Sequence, residues 1–158
     1  MSTSVFETVA AVLDPELPMI TIEDLGILRD VREEGDAIHV TITPTYAGCP
    51  AMEAIRSDIE AAVRARWPGR AVLVHTALAP AWSTDQVTAA GRRKLAAAGI
   101  APPPERVPGA ATDLVLTVRC PQCGSPETRE LSRFGSTACK SLWVCTACRE
   151  PFDRFKGL

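Results

Sequence analysis

Five of the six cysteines in this 158-residue chain lie after residue 119. Cys120-Pro121-Gln122-Cys123 and Cys145-Thr146-Ala147-Cys148 are two C-x-x-C pairs, with residues 124 to 144 between them. A C-x-x-C turn brings two thiolates to about 2.3 Å from one metal ion, and a second such turn completes a tetrahedron. The interval suits a zinc ribbon, so Cys120, Cys123, Cys145 and Cys148 are expected to hold structural zinc. Two disulfides would require an oxidising compartment. The opening Met1-Ser2-Thr3-Ser4-Val5-Phe6-Glu7 has no basic stretch followed by a long apolar run, so no secretory signal is read there and a reducing cytoplasm is expected. Free thiols would leave residues 113–158 with little to fold around. Their large apolar residues are few (Leu114, Val115, Leu116, Val118, Leu131, Phe134, Leu142, Trp143, Val144, Phe152, Phe155, Leu158), and so small a domain needs a staple.

Cys49, in Ala47-Gly48-Cys49-Pro50, is the sixth cysteine. With Pro50 as a first helical residue, its thiol stands at a helix N-terminus, where backbone N–H groups and the helix dipole favour a thiolate. Gly48 leaves room for a close approach. A small buried hydrophobe fits the same position. One thiolate cannot hold a metal or cluster alone. Partners could come from Asp14, Glu16 or Asp24, from a second copy in a homodimer, or from a client protein. The Asp14-Pro15 turn also suits purely local hydrogen bonds of the carboxylate. Cys139, beside Lys140, is a fifth thiol between the two pairs. Packing or a functional thiol suits it better than ligation, because four thiolates already fill a tetrahedral site.

The elements that position these residues follow from periodicity. Ser4 to Leu13 reads as a helix with Val5, Val9, Val12 and Leu13 on one face, ended by Asp14-Pro15. Thr21 to Gly26 reads as a capped turn. Ile27–Val31 and Ala37–Thr43 form a hairpin around Glu33-Glu34-Gly35-Asp36, with His39 on its polar face. The helix after Cys49 carries Met52, Ile55, Ile59, Ala62 and Val63 as a buried stripe and stops before Pro68-Gly69. Arg70–Thr76 is a third strand. A helix capped by Ser83 or Thr84, with Gln86 completing the capping box, runs to Ala98. Pro102, Pro103, Pro104 and Pro108 make a spacer. The expected fold class is α+β: residues 1–100 form an α-β-β-α-β-α domain with a three-strand sheet, 101–112 a linker, and 113–158 a zinc-ribbon-like domain.

Several function classes recede on composition. A net charge of −2 and, in 113–158, only seven Lys or Arg against five Asp or Glu speak against a nucleic-acid-binding ribbon. No apolar run is long enough to span a bilayer. Neither histidine, His39 or His75, has a Glu three residues before it, as a di-iron carboxylate site on facing helices requires. No dinucleotide fingerprint occurs. A small electron-transfer protein with iron in the four-cysteine site remains an alternative, since tetrahedral S₄ accepts either metal.

Residues 5–82 resemble the small domain of iron–sulfur cluster assembly factors, through Asp14-Pro15-Glu16, Asp24-Leu25-Gly26, the hairpin, and Thr45 with Gly48-Cys49-Pro50. Nearly the whole chain resembles the PaaD-like family, the D components of the phenylacetyl-CoA epoxidase of aerobic phenylacetate breakdown. That likeness is carried by Ala79-Pro80-Ala81-Trp82-Ser83-Thr84-Asp85, Gly91-Arg92-Arg93-Lys94-Leu95, Phe134-Gly135-Ser136-Thr137-Ala138-Cys139-Lys140 and Glu150-Pro151-Phe152-Asp153-Arg154-Phe155-Lys156. The resemblance implies a non-catalytic maturation factor for the epoxidase, with its iron–sulfur reductase subunit as client. Cys49 would hold iron or an iron–sulfur cluster transiently, with Asp14 and Glu16 shaping its loop.

Overall fold

The structure is a computed structural model and describes residues 3–104 and 117–156. Most of the proline spacer, and the expected core residues Leu114, Val115, Leu116 and Leu158, lie outside the described residues. The chain divides into two compact units, Met1–Gly91 and Arg92–Leu158. The expected first domain, 1–100, therefore extends past the observed division.

In the first unit, Ser4 opens helix α1 (Val5–Ala10) with a reciprocal capping box to Glu7. The helix is shorter than its periodicity suggests. Beyond Ala10 the backbone pairs with the returning segment instead: Ile22 donates to Val12 O at 2.9 Å, Asp14 to Ile20 O at 3.0 Å, and Leu13 bridges Thr21. Leu13, expected on the buried face, is thus 48% exposed. Thr21 and Asp24 cap the next turn reciprocally, at 3.1 and 3.3 Å.

Strand β1 (Leu28–Glu34) pairs antiparallel with β2 (Ala37–Ile42), and β3 (Ala71–Thr76) pairs parallel with β2, giving the order β1-β2-β3. The hairpin turn is tighter than expected: only Gly35 and Asp36 lie between the strands, with Gly35 at φ 57°. A parallel pair needs a crossover, and helix α2 (Ala51–Arg66) supplies it, burying Ala51, Ile55, Ile59 and Val63. These side chains join Ile38, Val40 and Ile42 of β2 in being fully or nearly fully buried.

The helix expected from Ser83 to Ala98 is divided. Ser83 and Gln86 do form a capping box, but around a single 3₁₀ turn, Thr84–Gln86. Val87 turns extended and is buried. The N–H of Thr88 then goes to Asp24 O at 2.9 Å rather than continuing the helical ladder, and the Thr88 hydroxyl accepts from Gly91 N at 2.9 Å. Helix α3 (Ala89–Ala97) starts from there. A side chain at Gly91 would place its Cβ 2.6 Å from Asp24 O, so this close approach needs glycine.

In the second unit, Ile100–Ala101 is strand β4, so Ala101 is not spacer and Ile100 does not close the first domain; the pair runs parallel with Asp153 and Arg154. Strands β5 (Thr128–Ser132), β6 (Lys140–Cys145) and β7 (Pro151–Phe155) complete a sheet in the order β4-β7-β6-β5. Its small core holds Ala101, Val118, Cys120, Cys145 and Phe152, with Trp143 packed against it.

Candidate metal centre and the Cys49 loop

Each C-x-x-C pair in the second unit is built on the same turn. Cys120 N donates to Ser125 O at 3.0 Å, and Cys145 N donates to Glu150 O at 3.0 Å, five residues on in both cases. Four residues after each leading cysteine the backbone enters the left-handed region, at Gly124 (φ 74°) and at Arg149 (φ 66°). These twin knuckles face their sulfurs toward one point. Cys120 Sγ lies 3.7 Å from Cys148 Sγ and Cys123 Sγ 3.6 Å from Cys145 Sγ. All four ligand atoms are within 4.8 Å of one another. A tetrahedron with Zn–S bonds of about 2.3 Å has edges of about 3.8 Å, so the sulfur set fits a single four-thiolate ion.

The backbone also prepares the sulfurs for charge. Cys145 Sγ receives the N–H of Cys148 and that of Ala147, which brings its pKa down to about 7. The N–H of Glu150 lowers that of Cys148, but desolvation and the neighbouring thiols Cys123, Cys145 and Cys120 outweigh it and push it up to about 12. Without an ion the cluster thus tolerates a first negative charge and resists the next. A divalent cation removes that repulsion and releases the protons.

Cys139 stands apart from this cluster. It is buried, its Sγ lies 3.0 Å from Thr137 Oγ1, and its carbonyl accepts from Lys156 N at 2.9 Å. It is not among the four convergent sulfurs.

In the first unit, the loop after β2 brings Cys49 to the start of α2. Cys49 N donates to Tyr46 O at 3.2 Å, and Gly48 takes φ 83° to make that turn. Pro50 is the N-cap rather than the first helical residue, and it provides no side-chain cap. The half-buried Cys49 thiol is not tipped toward thiolate as its helix-end position suggests. Burial raises its pKa, the Ala51 N–H and the Thr45 hydroxyl pull it down, and the carboxylates of Glu16 and Asp14 raise it further; the balance lies above the ordinary value of 9.0. Asp14 and Glu16 are expected from the sequence as possible partners of this thiol; their charges oppose the effect of the helix end on it.

Those same charges place Asp14 and Glu16 close enough to Cys49 to act on its proton. Asp14 is buried, and its Oδ1 accepts from Glu16 N and Leu17 N, both at 2.9 Å, so the local turn and proximity to the thiol coexist. Asp24 is otherwise engaged: its Oδ2 accepts from Thr21 N and its Oδ1 from the Thr88 hydroxyl at 3.1 Å. Two features escaped the sequence reading. The hydroxyl of Thr45, 9% exposed, is a hydrogen-bond partner of Cys49. His39 Nδ1 lies 3.1 Å from His75 Nε2 on the outer face of the sheet, a pairing set by the parallel register of β2 and β3.

Residues 3–75 match the iron-sulfur cluster assembly protein family, and residues 104–156 match the PaaD zinc beta ribbon domain. Over 145 residues the chain is 45% identical to a protein of Escherichia coli (strain K12) described as the D component of 1,2-phenylacetyl-CoA epoxidase, covering 90% of this chain and 85% of that one. The chain belongs to the PaaD-like family of phenylacetyl-CoA epoxidase components. Its first unit has relatives of its own. An Fe-S protein maturation auxiliary factor of Bacillus subtilis (strain 168) is 32% identical over 78 residues, spanning 49% of this chain and 76% of the relative. The crystal structure of a domain of unknown function from Bacillus anthracis superimposes with a TM-score of 0.53 at 29% identity, covering 58% of this chain and 87% of that one. In this PaaD-like chain, then, an assembly-type α+β unit and a four-cysteine, metal-binding ribbon are joined. Among the described residues no helix is long and apolar enough to cross a membrane.

Proposed function

We propose that this chain is a cytoplasmic, non-catalytic accessory factor that assists assembly of an iron–sulfur or iron centre in the phenylacetyl-CoA epoxidase system. The iron–sulfur reductase subunit is the client we favour. The observation that carries this is the Cys49 loop: a half-buried thiol at a helix start, with the carboxylates of Glu16 and Asp14 acting on its proton. Thiolate and carboxylate together suit iron. The similarity to Fe-S maturation auxiliary factors over the same unit supports the reading.

In this account Cys49 releases its proton to solvent as the metal or cluster binds, and Glu16 and Asp14, which disfavour the bare thiolate, favour the cation-bound one. The Thr45 hydroxyl and Ala51 N–H orient the sulfur. The four-cysteine site holds zinc that folds the second unit and takes no part in transfer. The match to a zinc beta ribbon family favours zinc there over iron; the sulfur spacing fits either ion.

The test is metal and sulfide analysis of protein purified without air, wild type beside Cys49→Ser. Zinc near one per chain is expected in both, with iron and sulfide in the wild type only. The client co-expressed with Cys49→Ser should carry less cluster. Full client loading with that variant would remove Cys49 from the mechanism. A visible absorption band that bleaches on reduction and survives in Cys49→Ser would instead put iron in the four-cysteine site.

A further inference from the structure

The second sheet carries a concavity of about 440 Å³ lined by Phe134, Gly135, Ser136 and Leu142 and by the run Pro151, Phe152 and Asp153. Register sets its floor: Leu142 pairs with Asp153, so these two side chains share one face of the sheet. The wall is the loop from β5 to β6. Gly135 N donates to Lys140 O at 2.8 Å and Lys140 N to Thr137 O at 3.1 Å, which closes the loop on itself. Phe134 projects from that loop with 66% of its surface exposed. Its ring is fixed on one side by the Lys156 ammonium, 4.6 Å from the centroid. Lys156 is itself tied to Arg133 O.

An aromatic side chain held rigid, exposed and beside an apolar hollow is the usual anatomy of a binding anchor. The charges say what it would bind. Residues 131–140 contain Arg133 and Lys140 and no acid. Lys140 is buried and offset by Asp153 at 3.6 Å, and the Asp153 carboxylate also accepts from the Ser136 hydroxyl at 3.1 Å. The pocket's one anion is therefore neutralised internally. What remains around Phe134 is positive, from Arg133 and Lys156. Glu150 precedes Pro151 in the chain and is not among the lining residues.

We propose that this concavity docks an acidic segment of a protein client, which seats an aromatic or long aliphatic side chain against Phe134 and Leu142 while its carboxylates meet Arg133 and Lys156. The proposal rests on the client reading above and supplies the contact that brings client and Cys49-bearing chain together. Gly135 belongs to the device. A Cβ there would lie 2.6 Å from Asp153 Oδ1 and would push aside the carboxylate that holds Lys140 and Ser136.

The experiment is fluorescence anisotropy of a labelled synthetic peptide, one tryptophan flanked by glutamates, with the zinc-loaded full chain. Saturable binding that weakens with salt is expected, with a loss of about tenfold or more in Phe134→Ala and in Arg133→Glu. The twin peptides with lysines for glutamates, or alanine for tryptophan, should bind at least as weakly as the variants do. Zinc content and circular dichroism confirm that both variants fold. Cys49→Ser should bind like wild type, so failure at Cys49 and failure at this surface are separable. Equal binding by Phe134→Ala overturns the proposal. So does tighter binding of a short single-stranded oligonucleotide, or self-association of the wild type that Phe134→Ala abolishes, which would make a second copy the occupant.

Discussion

Removing the metal should unfold the second unit and leave the first one standing. Five buried residues form the core beneath the sheet, and two of them, Cys120 and Cys145, belong to the convergent four-cysteine set. Val118, Phe152 and Phe155 are large apolar side chains buried near the ribbon strands, and Leu95 and Ile100 are buried in the same unit. Each contributes about 1.5–3 kcal/mol by burial, so these five together contribute about 8–15 kcal/mol. A structural four-thiolate zinc is worth about 10–16 kcal/mol at neutral pH. The ion thus contributes about as much as the core does, and without it the backbone entropy of ordering β5, β6 and β7, at about 1–2 kcal/mol per residue, is unmatched. The first unit has its own core on β2 and α2 and needs no ion.

The assay is amide hydrogen exchange of the full chain before and after treatment with a strong chelator. Protection should vanish at Leu142, Val144 and Phe152 and persist at Val40, Ile59 and Val74. Restoring zinc should recover it. If the chelated protein kept its protection in β6 and its melting profile, the reasoning about what holds this unit together would be wrong.

Two further outcomes follow from single residues. Glu16→Gln removes the stronger of the two carboxylate influences on Cys49, so its pKa should fall toward 9.0 and alkylation of that thiol between pH 7 and 8 should quicken; an unchanged rate would mean the charge does not reach it. The sign also fixes a stability effect. The folded thiol holds its proton above the unfolded pKa, so wild type should lose stability relative to Cys49→Ser as pH rises through about 9, and not below it. The knuckles supply a matched pair: Arg149→Gly relieves a left-handed non-glycine residue and should stabilise by about 0.5–1 kcal/mol, whereas Gly124→Ala should cost about 1 kcal/mol. A Cβ at Gly124 meets nothing within 4 Å, so that cost is conformational alone and is read as a shift in denaturation midpoint of the zinc-loaded chain.

What the sequence made legible was local. The C-x-x-C pairs report a metal site because each pair is one turn, and the alternation of Ile38, Val40 and Ile42 reports a buried face within one strand. What it hid was set by partners distant in the chain. The Ser83–Gln86 capping box is real, yet the helix behind it breaks because Asp24 takes the N–H of Thr88. Ile100 looks like the end of the first domain and Ala101 like the start of a prolyl spacer, and the two become a strand only because Asp153 and Arg154 come alongside. The ionisation of Cys49 likewise depends on residues distant in the chain. Its helix end is written next to it, while the opposing carboxylates arrive from residues 14 and 16.

The two sulfur sites hold their protons differently. In the four-cysteine site Cys145 is drawn down to about 7 by N–H groups of its own knuckle, while Cys148 is pushed up to about 12 beside the other thiols. A site that must give its cargo away gains from a raised pKa. Burial and the neighbouring acids return the proton to Cys49 once the cation leaves. Rebinding then has to displace that proton again, which biases transfer toward a client whose thiolates need no such step. Lowering the pH should therefore speed unloading from Cys49 at values where the four-cysteine site still holds its ion. Release of zinc and of iron at the same pH would contradict this division of labour.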